Sequence, residues 1–140
     1  MLVTNLNEFT LDEFTRHYII CALWAENDQS DPETGGNPLD DNYTIDNVAP
    51  ECLEVMIADC SKFQMENVDD IAAWKEPGAK HGGHSAEEMA GYDFWLTRNG
   101  HGAGFWDGDW DEEVGKRLTT ASEKFGCVNL IIGDDGKIYC

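Results

Sequence analysis

Basic residues are scarce in this chain. Its 140 residues hold 9 Lys and Arg against 28 Asp and Glu, a formal net charge of −19. Between Arg16 and Lys62 neither lysine nor arginine occurs. The same interval carries ten carboxylates: Glu26, Asp28, Asp31, Glu33, Asp40, Asp41, Asp46, Glu51, Glu54 and Asp59. So lopsided a charge excludes the electrostatic footprint of a protein that grips nucleic acid directly. It also argues against docking on an anionic membrane. Long apolar runs are missing as well. The longest, Tyr18 to Ala25, has eight residues, whereas a membrane-spanning helix needs about 20. No basic stretch followed by an apolar run opens the sequence, whose first basic residue is Arg16. A secretory leader is therefore not expected, and a cytoplasmic setting is.

The five cysteines, Cys21, Cys52, Cys60, Cys127 and Cys140, do not have the spacing of a small disulfide scaffold. Cys52 and Cys60 fall on one expected helix, about 12 Å apart along its axis. A disulfide needs Cα atoms within about 7 Å. All five thiols are read as reduced and mostly core-filling. Catalytic signatures are equally thin. There is no G-x-S-x-G nucleophile elbow to accompany the glycines of His101-Gly-Ala-Gly104. Gly133-Asp-Asp-Gly136 lacks the lysine and serine of a phosphate loop and reads as a turn. What the chain does have is aromatic side chains, 11% of residues, too many for a disordered acidic tail. Its length suits one domain with a real core.

The periodicity predicts an α+β fold: a helix-rich single domain of about four helices with a short C-terminal β-hairpin packed on them. Thr10 and Glu13 form a capping box for the first helix, and Leu11, Phe14, Tyr18 and Cys21 share its face. A loop from Asn27 to Asn42 follows, long enough to be either a mobile, solvated excursion or a binding loop. Pro50 suits the first turn of a second helix, with Leu53, Met56, Ile57, Cys60 and Phe63 on its buried stripe. Asn67 interrupts it, and Asp69 to Trp74 gives a short further helical piece. Ser85 and Glu88 cap a helix running to Arg98, stopped by Asn99-Gly100. Trp110, Val114, Leu118, Ala121 and Phe125 mark the last helix, with Asp111, Glu112 and Glu113 favourably placed at its start. Val128 to Ile132 and Lys137 to Cys140 pair across Asp135-Gly136.

Two motifs carry potential metal chemistry. His81 and His84 have a spacing that suits two zinc ligands, with His101 or Cys60 as a third. No C-x-x-C accompanies them, so an ordinary polar loop is the expectation, with no cofactor and no tightly held zinc. The alternative is a metal-dependent hydrolase or nuclease using His81, His84 and His101. Asp107, Asp109 and Asp111 begin like a calcium loop, but the sixth position is Glu112 and the twelfth Leu118. That is not an EF-hand; an acidic helix start is expected.

The stretch from Tyr92 to Asp107 is dense in aromatics and glycine and holds one arginine, Arg98, and one histidine, His101. Structurally it reads as core, with Arg98 paired to an internal carboxylate. Together with Leu39-Asp-Asp-Asn-Tyr43, Ala49-Pro-Glu51, Asp59-Cys-Ser-Lys-Phe-Gln64 and Gly133-Asp-Asp-Gly136, this stretch resembles a family of small acidic proteins encoded by bacteriophages and prophages. The resemblance implies a phage origin and a host-cytoplasm setting, not a reaction. Charge here is segregated into clusters and not alternated into ion pairs. Helix-borne carboxylates can approach the charge density of nucleic acid, one charge per roughly 1.7 Å of duplex axis. The expected function is that of a non-enzymatic accessory protein. It would block a host nucleic-acid-handling defence protein, a CRISPR effector or restriction enzyme, through that partner's basic surface. Asp40, Asp41, Asp46, Asp107, Asp109 and Asp111 are the expected contacts, with Trp110 or Trp106 as aromatic anchors. A structural or regulatory phage protein, acidic only for solubility, is the other alternative.

Overall fold

The computed structural model describes residues 11–30, 36–74 and 84–140. These residues form five helices: α1 (Glu13–Ala25), α2 (Pro50–Glu66), α3 (Val68–Ala72), α4 (Ala86–Arg98) and α5 (Glu112–Glu123). A two-stranded antiparallel hairpin, β1 (Ile131–Ile132) and β2 (Ile138–Tyr139), completes the α+β architecture.

Helix α4 is the central element. Ala90, Gly91 and every residue from Asp93 to Arg98 are buried, so this helix is covered nearly all round, as a core helix must be. It packs on α1, α3 and α5. Gly91 is what lets α1 approach, because a Cβ there would run into the Phe14 carbonyl. Gly115 does the same for α5, where a Cβ would lie 2.6 Å from the Phe105 carbonyl oxygen. Between the helices the aromatic rings form one cluster. Phe63 stacks on Phe94 at 4.2 Å and touches Phe14, Phe105 and Phe125.

Helix α4 opens with the expected Ser85–Glu88 capping box, and α2 begins at Pro50 as its fixed φ allows. The start of α1 differs from expectation. Its N-cap is Asp12, whose carboxylate accepts from the Thr15 N–H at 2.8 Å; Thr10 lies outside the described residues. A carboxylate is a stronger cap than a threonine hydroxyl, and Gln64 of α2 donates to its other oxygen. The stretch after α1 is less open than its length suggests. Asp28 donates to the Asn37 carbonyl and Leu39 to that of Glu26, closing its neck. Two 3₁₀ turns follow, Leu39–Asp41 and Ile45–Asn47, each anchored by a buried aliphatic side chain. Of the expected core, Phe14, Tyr18, Leu53, Phe63, Leu96 and Leu118 are buried, while Ile57 and Phe125 are partly exposed.

The hairpin strands are shorter than expected because side-chain bonding captures the approach to β1. The Val128 N–H donates to the Asn99 side chain at the end of α4 instead of joining the ladder. On its other edge β2 bridges Val48, and the Ala49 N–H donates to the Ile138 carbonyl. This seats the hairpin at the start of α2. There the reading of five reduced thiols is corrected: Cys52 and Cys140 are disulfide-bonded. The Cα atoms lie 5.2 Å apart although 88 positions separate them in sequence. The β2 pairing brings them together, which spacing alone did not reveal. Cys21 and Cys60 are buried free thiols held protonated by burial, as expected of core fillers. No helix among the described residues is long and apolar enough to cross a membrane.

Two measurements check this packing. Leu118→Ala removes a fully buried side chain and should lower stability by about 2–5 kcal/mol in urea titration. Thiol titration of the oxidised, denatured protein should count three reactive cysteines, rising to five after reduction. Reduction should lower stability by about 2–5 kcal/mol, since the bond closes a long loop. Five reactive thiols without reductant would contradict the bond.

Candidate functional site

The expected acidic contacts fall into groups with different environments. Asp40 and Asp41 sit on the first 3₁₀ turn and Asp46 on the second, all exposed. Asp40 and Asp46 flank a depression of about 320 Å³ above Ile20, Leu23, Tyr43 and Ile45. Asp107 and Asp109 border a larger groove of about 590 Å³, together with Trp24, Met89, Tyr92 and His101.

Tyr92 lines the larger groove, and burial, with the charge of Asp40 adding to it, raises its hydroxyl above the usual tyrosine range. Asp107 and Asp109 share that groove with it, while Asp40 lines the other depression. Trp24 packs against Tyr92 at 6.3 Å between ring centroids and remains 56% exposed. Such a surface can accept ion pairs from lysine or arginine and stack a guanidinium on its rings.

Several acidic residues are also structural. The Asp107 carboxylate accepts from the backbone N–H groups of Gly104 and Asp109, folding the loop on itself. Asp111 is the N-cap of α5, accepting from Val114, and its charge acts on Arg117. Those oxygens face backbone donors, not the alternating coordination sphere of a calcium loop.

Trp110 occupies the core. It is 5% exposed, lies against Phe105 and Trp74, and donates its indole N–H to Asp93 Oδ2 at 2.7 Å. A side chain so placed supports the fold and offers no surface to a partner. The exposed tryptophans among the described residues are Trp24 and Trp106, the latter 54% exposed. Within the aromatic-glycine stretch, residues 93–98, Gly104 and Phe105 are core as expected, while Trp106 and Asp107 are exposed. Arg98 pairs with Asp59 at 2.9 Å, and Phe94, Trp95 and Phe105 are buried.

The third ligands expected beside His84 are not brought to it. His84 precedes α4 and His101 follows it, separated by about 20 Å of helix. His101 Nε2 lies 2.6 Å from Glu26 Oε2, an oxygen that also accepts from the Trp95 indole. Cys60 is a buried core thiol, and His81 lies outside the described residues. His84 instead faces Glu88 and His17.

Trp24, Tyr92 and His17 were missed by sequence reasoning. Trp24 offered a signal, a tryptophan beside Glu26 and Asp28 and off the Phe14–Tyr18–Cys21 stripe. Tyr92 belongs to the stretch whose composition reads as core, and its packing against Trp24 leaves it lining the groove.

A scan against family models finds no match, and neither curated proteins nor solved structures give a significant one.

Asp93 beneath the groove supplies a pH test. Burial, with Asp107 and Asp109 adding to it, raises its carboxyl from an ordinary 3.8 to about 7, against the lowering effect of the Trp110 hydrogen bond. Between these values the folded state holds a proton that the unfolded chain has lost. The stabilisation is therefore complete below about pH 4 and is lost as pH rises through about 7. Asp93→Asn keeps an acceptor for Trp110 and cannot ionise. Urea midpoints at about pH 4.5 and about pH 8 should show the variant gaining on the parent as pH rises. A pH-independent difference would contradict this.

Proposed function

We propose that this chain is a binding protein whose acidic face docks on the basic surface of a nucleic-acid-handling protein and occupies it in place of nucleic acid. The observation that carries this reading is the pair of acid-rimmed surface depressions, one lined by Asp40 and Asp46, the other by Asp107 and Asp109 beside Trp24 and Tyr92. Segregated charge destabilises a compact fold through self-repulsion, and a complementary cationic partner offsets that cost. Exposed Trp24 beside the carboxylates supplies an aromatic anchor of the kind that concentrates binding energy. The resemblance to small acidic phage proteins directs the choice of partner to host defence proteins, CRISPR effectors and restriction enzymes. Their DNA-binding clefts are lined with lysine and arginine. That setting is the host cytoplasm. Disulfides persist mainly in oxidising compartments, so the Cys52–Cys140 bond makes the redox state a variable to control.

The test is displacement of a labelled DNA duplex from purified restriction enzymes and CRISPR effectors, followed by fluorescence anisotropy with the disulfide intact and reduced. Displacement should weaken as salt rises, since exposed charges are screened over about 8–10 Å at physiological ionic strength. The triple variant Asp40→Asn, Asp41→Asn, Asp46→Asn removes three exposed charges without disturbing a cap. It should bind about tenfold more weakly, mainly through slower association. Trp24→Ala should instead speed dissociation. If displacement is insensitive to both salt and the triple variant, phosphate mimicry is wrong.

A further inference from the structure

Across the crossing of α1 and α4 lies a polar cluster that the acidic face does not use. His17 is buried on α1, and its Nε2 lies 3.1 Å from Glu88 Oε2. His84, half-exposed just before α4, places Nδ1 3.9 Å from Glu88 Oε1. The two imidazole rings meet edge to face, 6.0 Å between centroids. One nitrogen from each histidine and one Glu88 oxygen all lie within 4.8 Å of one another.

His17 and Glu88 are each already oriented by a second partner. His17 Nδ1 is 3.0 Å from the Glu13 carbonyl oxygen. A carbonyl can only accept, so Nδ1 carries the proton and Nε2 is left to face the carboxylate. Backbone carbonyls commonly fix the tautomer of ligating histidines in this way. Glu88 Oε1 accepts from the Ser85 N–H at 2.8 Å in the capping box, which leaves Oε2 for another partner. Glu13 adds a second carboxylate beside this set, with one oxygen 4.0 Å from His17 Nδ1 and 3.2 Å from Arg16. A neutral imidazole nitrogen 3.1 Å from a carboxylate oxygen brings two lone pairs face to face. Such a contact calls for a cation between them or a proton on the imidazole.

We propose that His17, His84 and Glu88 bind a divalent transition-metal ion, zinc foremost, which clips the start of α4 onto α1. Two imidazoles and a carboxylate are a donor set that zinc favours, with water completing the tetrahedron. Ligand atoms in such a site stand about 3.3 Å apart, as metal–ligand bonds of about 2.0–2.1 Å require. The His17–Glu88 pair already has this separation, and rotation of the half-exposed His84 ring brings in the third ligand. The site is independent of the docking face and stands or falls separately.

The test is zinc titration of chelator-stripped protein by calorimetry, with cobalt as a spectroscopic substitute whose visible bands report tetrahedral coordination. The parent should take up one equivalent, and zinc should raise its thermal midpoint by mass action. His84→Ala removes a ligand outside the core. Glu88→Gln keeps a side chain that completes the capping box. Each should weaken zinc binding by at least about tenfold and abolish the midpoint shift. Circular dichroism is the check that both variants fold. The proposal is overturned if the parent binds no zinc at micromolar concentration. It is equally overturned if both folded variants bind zinc as tightly as the parent.

Discussion

The buried guanidinium of Arg98 is the interaction on which the arrangement of helices depends. It is 5% exposed and leaves α4 toward three neighbouring elements. Its Nη1 donates to the Tyr18 hydroxyl on α1 and to Asp59 on α2, at 3.0 and 2.9 Å. Its Nε and Nη2 donate to the Gly126 and Phe125 carbonyls just past α5. The plane also lies over the Phe94 and Phe125 rings. A charge in such a place is tolerated because four hydrogen bonds and one carboxylate meet it, and removing Asp59 would leave a buried ion uncompensated at several kcal/mol, about 3–5 by analogy with other buried pairs. A lysine could not replace it, since a point charge cannot reach four acceptors in a fork.

With the C-terminal end of α4 pinned in this way, its remaining surfaces are committed. One side lies against α1 at Gly91, which brings Glu88 to His17. Another turns Tyr92 outward into the groove and Asp93 inward to the Trp110 indole. The position of Tyr92 in the groove and the His–Glu cluster are thus consequences of one helix placement. The same placement explains why Trp110 is structural. The indole N–H must find a buried acceptor, and Asp93 supplies it in a pocket where its own ionisation is disfavoured.

The chain's charge is managed by position. Arg98 neutralises Asp59 inside, Arg117 meets Asp70 at 2.8 Å outside, and Asp12, Asp107 and Asp111 are turned on backbone N–H groups. Asp40, Asp41 and Asp46 point their charge to solvent. Backbone capping uses a carboxylate without a basic side chain, which is how so acidic a sequence folds with so few lysines and arginines.

Local rules determined much of this protein. Helical periodicity, the Ser85–Glu88 box, Pro50 at a helix start and the Asp135-Gly136 turn each act within a few residues, so the helices, the hairpin and most of the core were legible in the sequence. The pairing of Arg98 with a carboxylate was legible too, because a buried arginine among aromatics has few other options. Tertiary structure alone decided which distant groups meet. The Cys52–Cys140 bond depends on β2 lying beside Val48, and spacing carries no record of that contact. His84 finds His17 and not His101, because a rigid helix holds His84 and His101 apart while the α1–α4 crossing brings His17 in. Trp110, expected as an anchor, is core, and Trp24 is exposed, for the same reason. Whether a tryptophan is anchor or core is set by what packs over it, which a one-dimensional pattern of apolar residues does not encode.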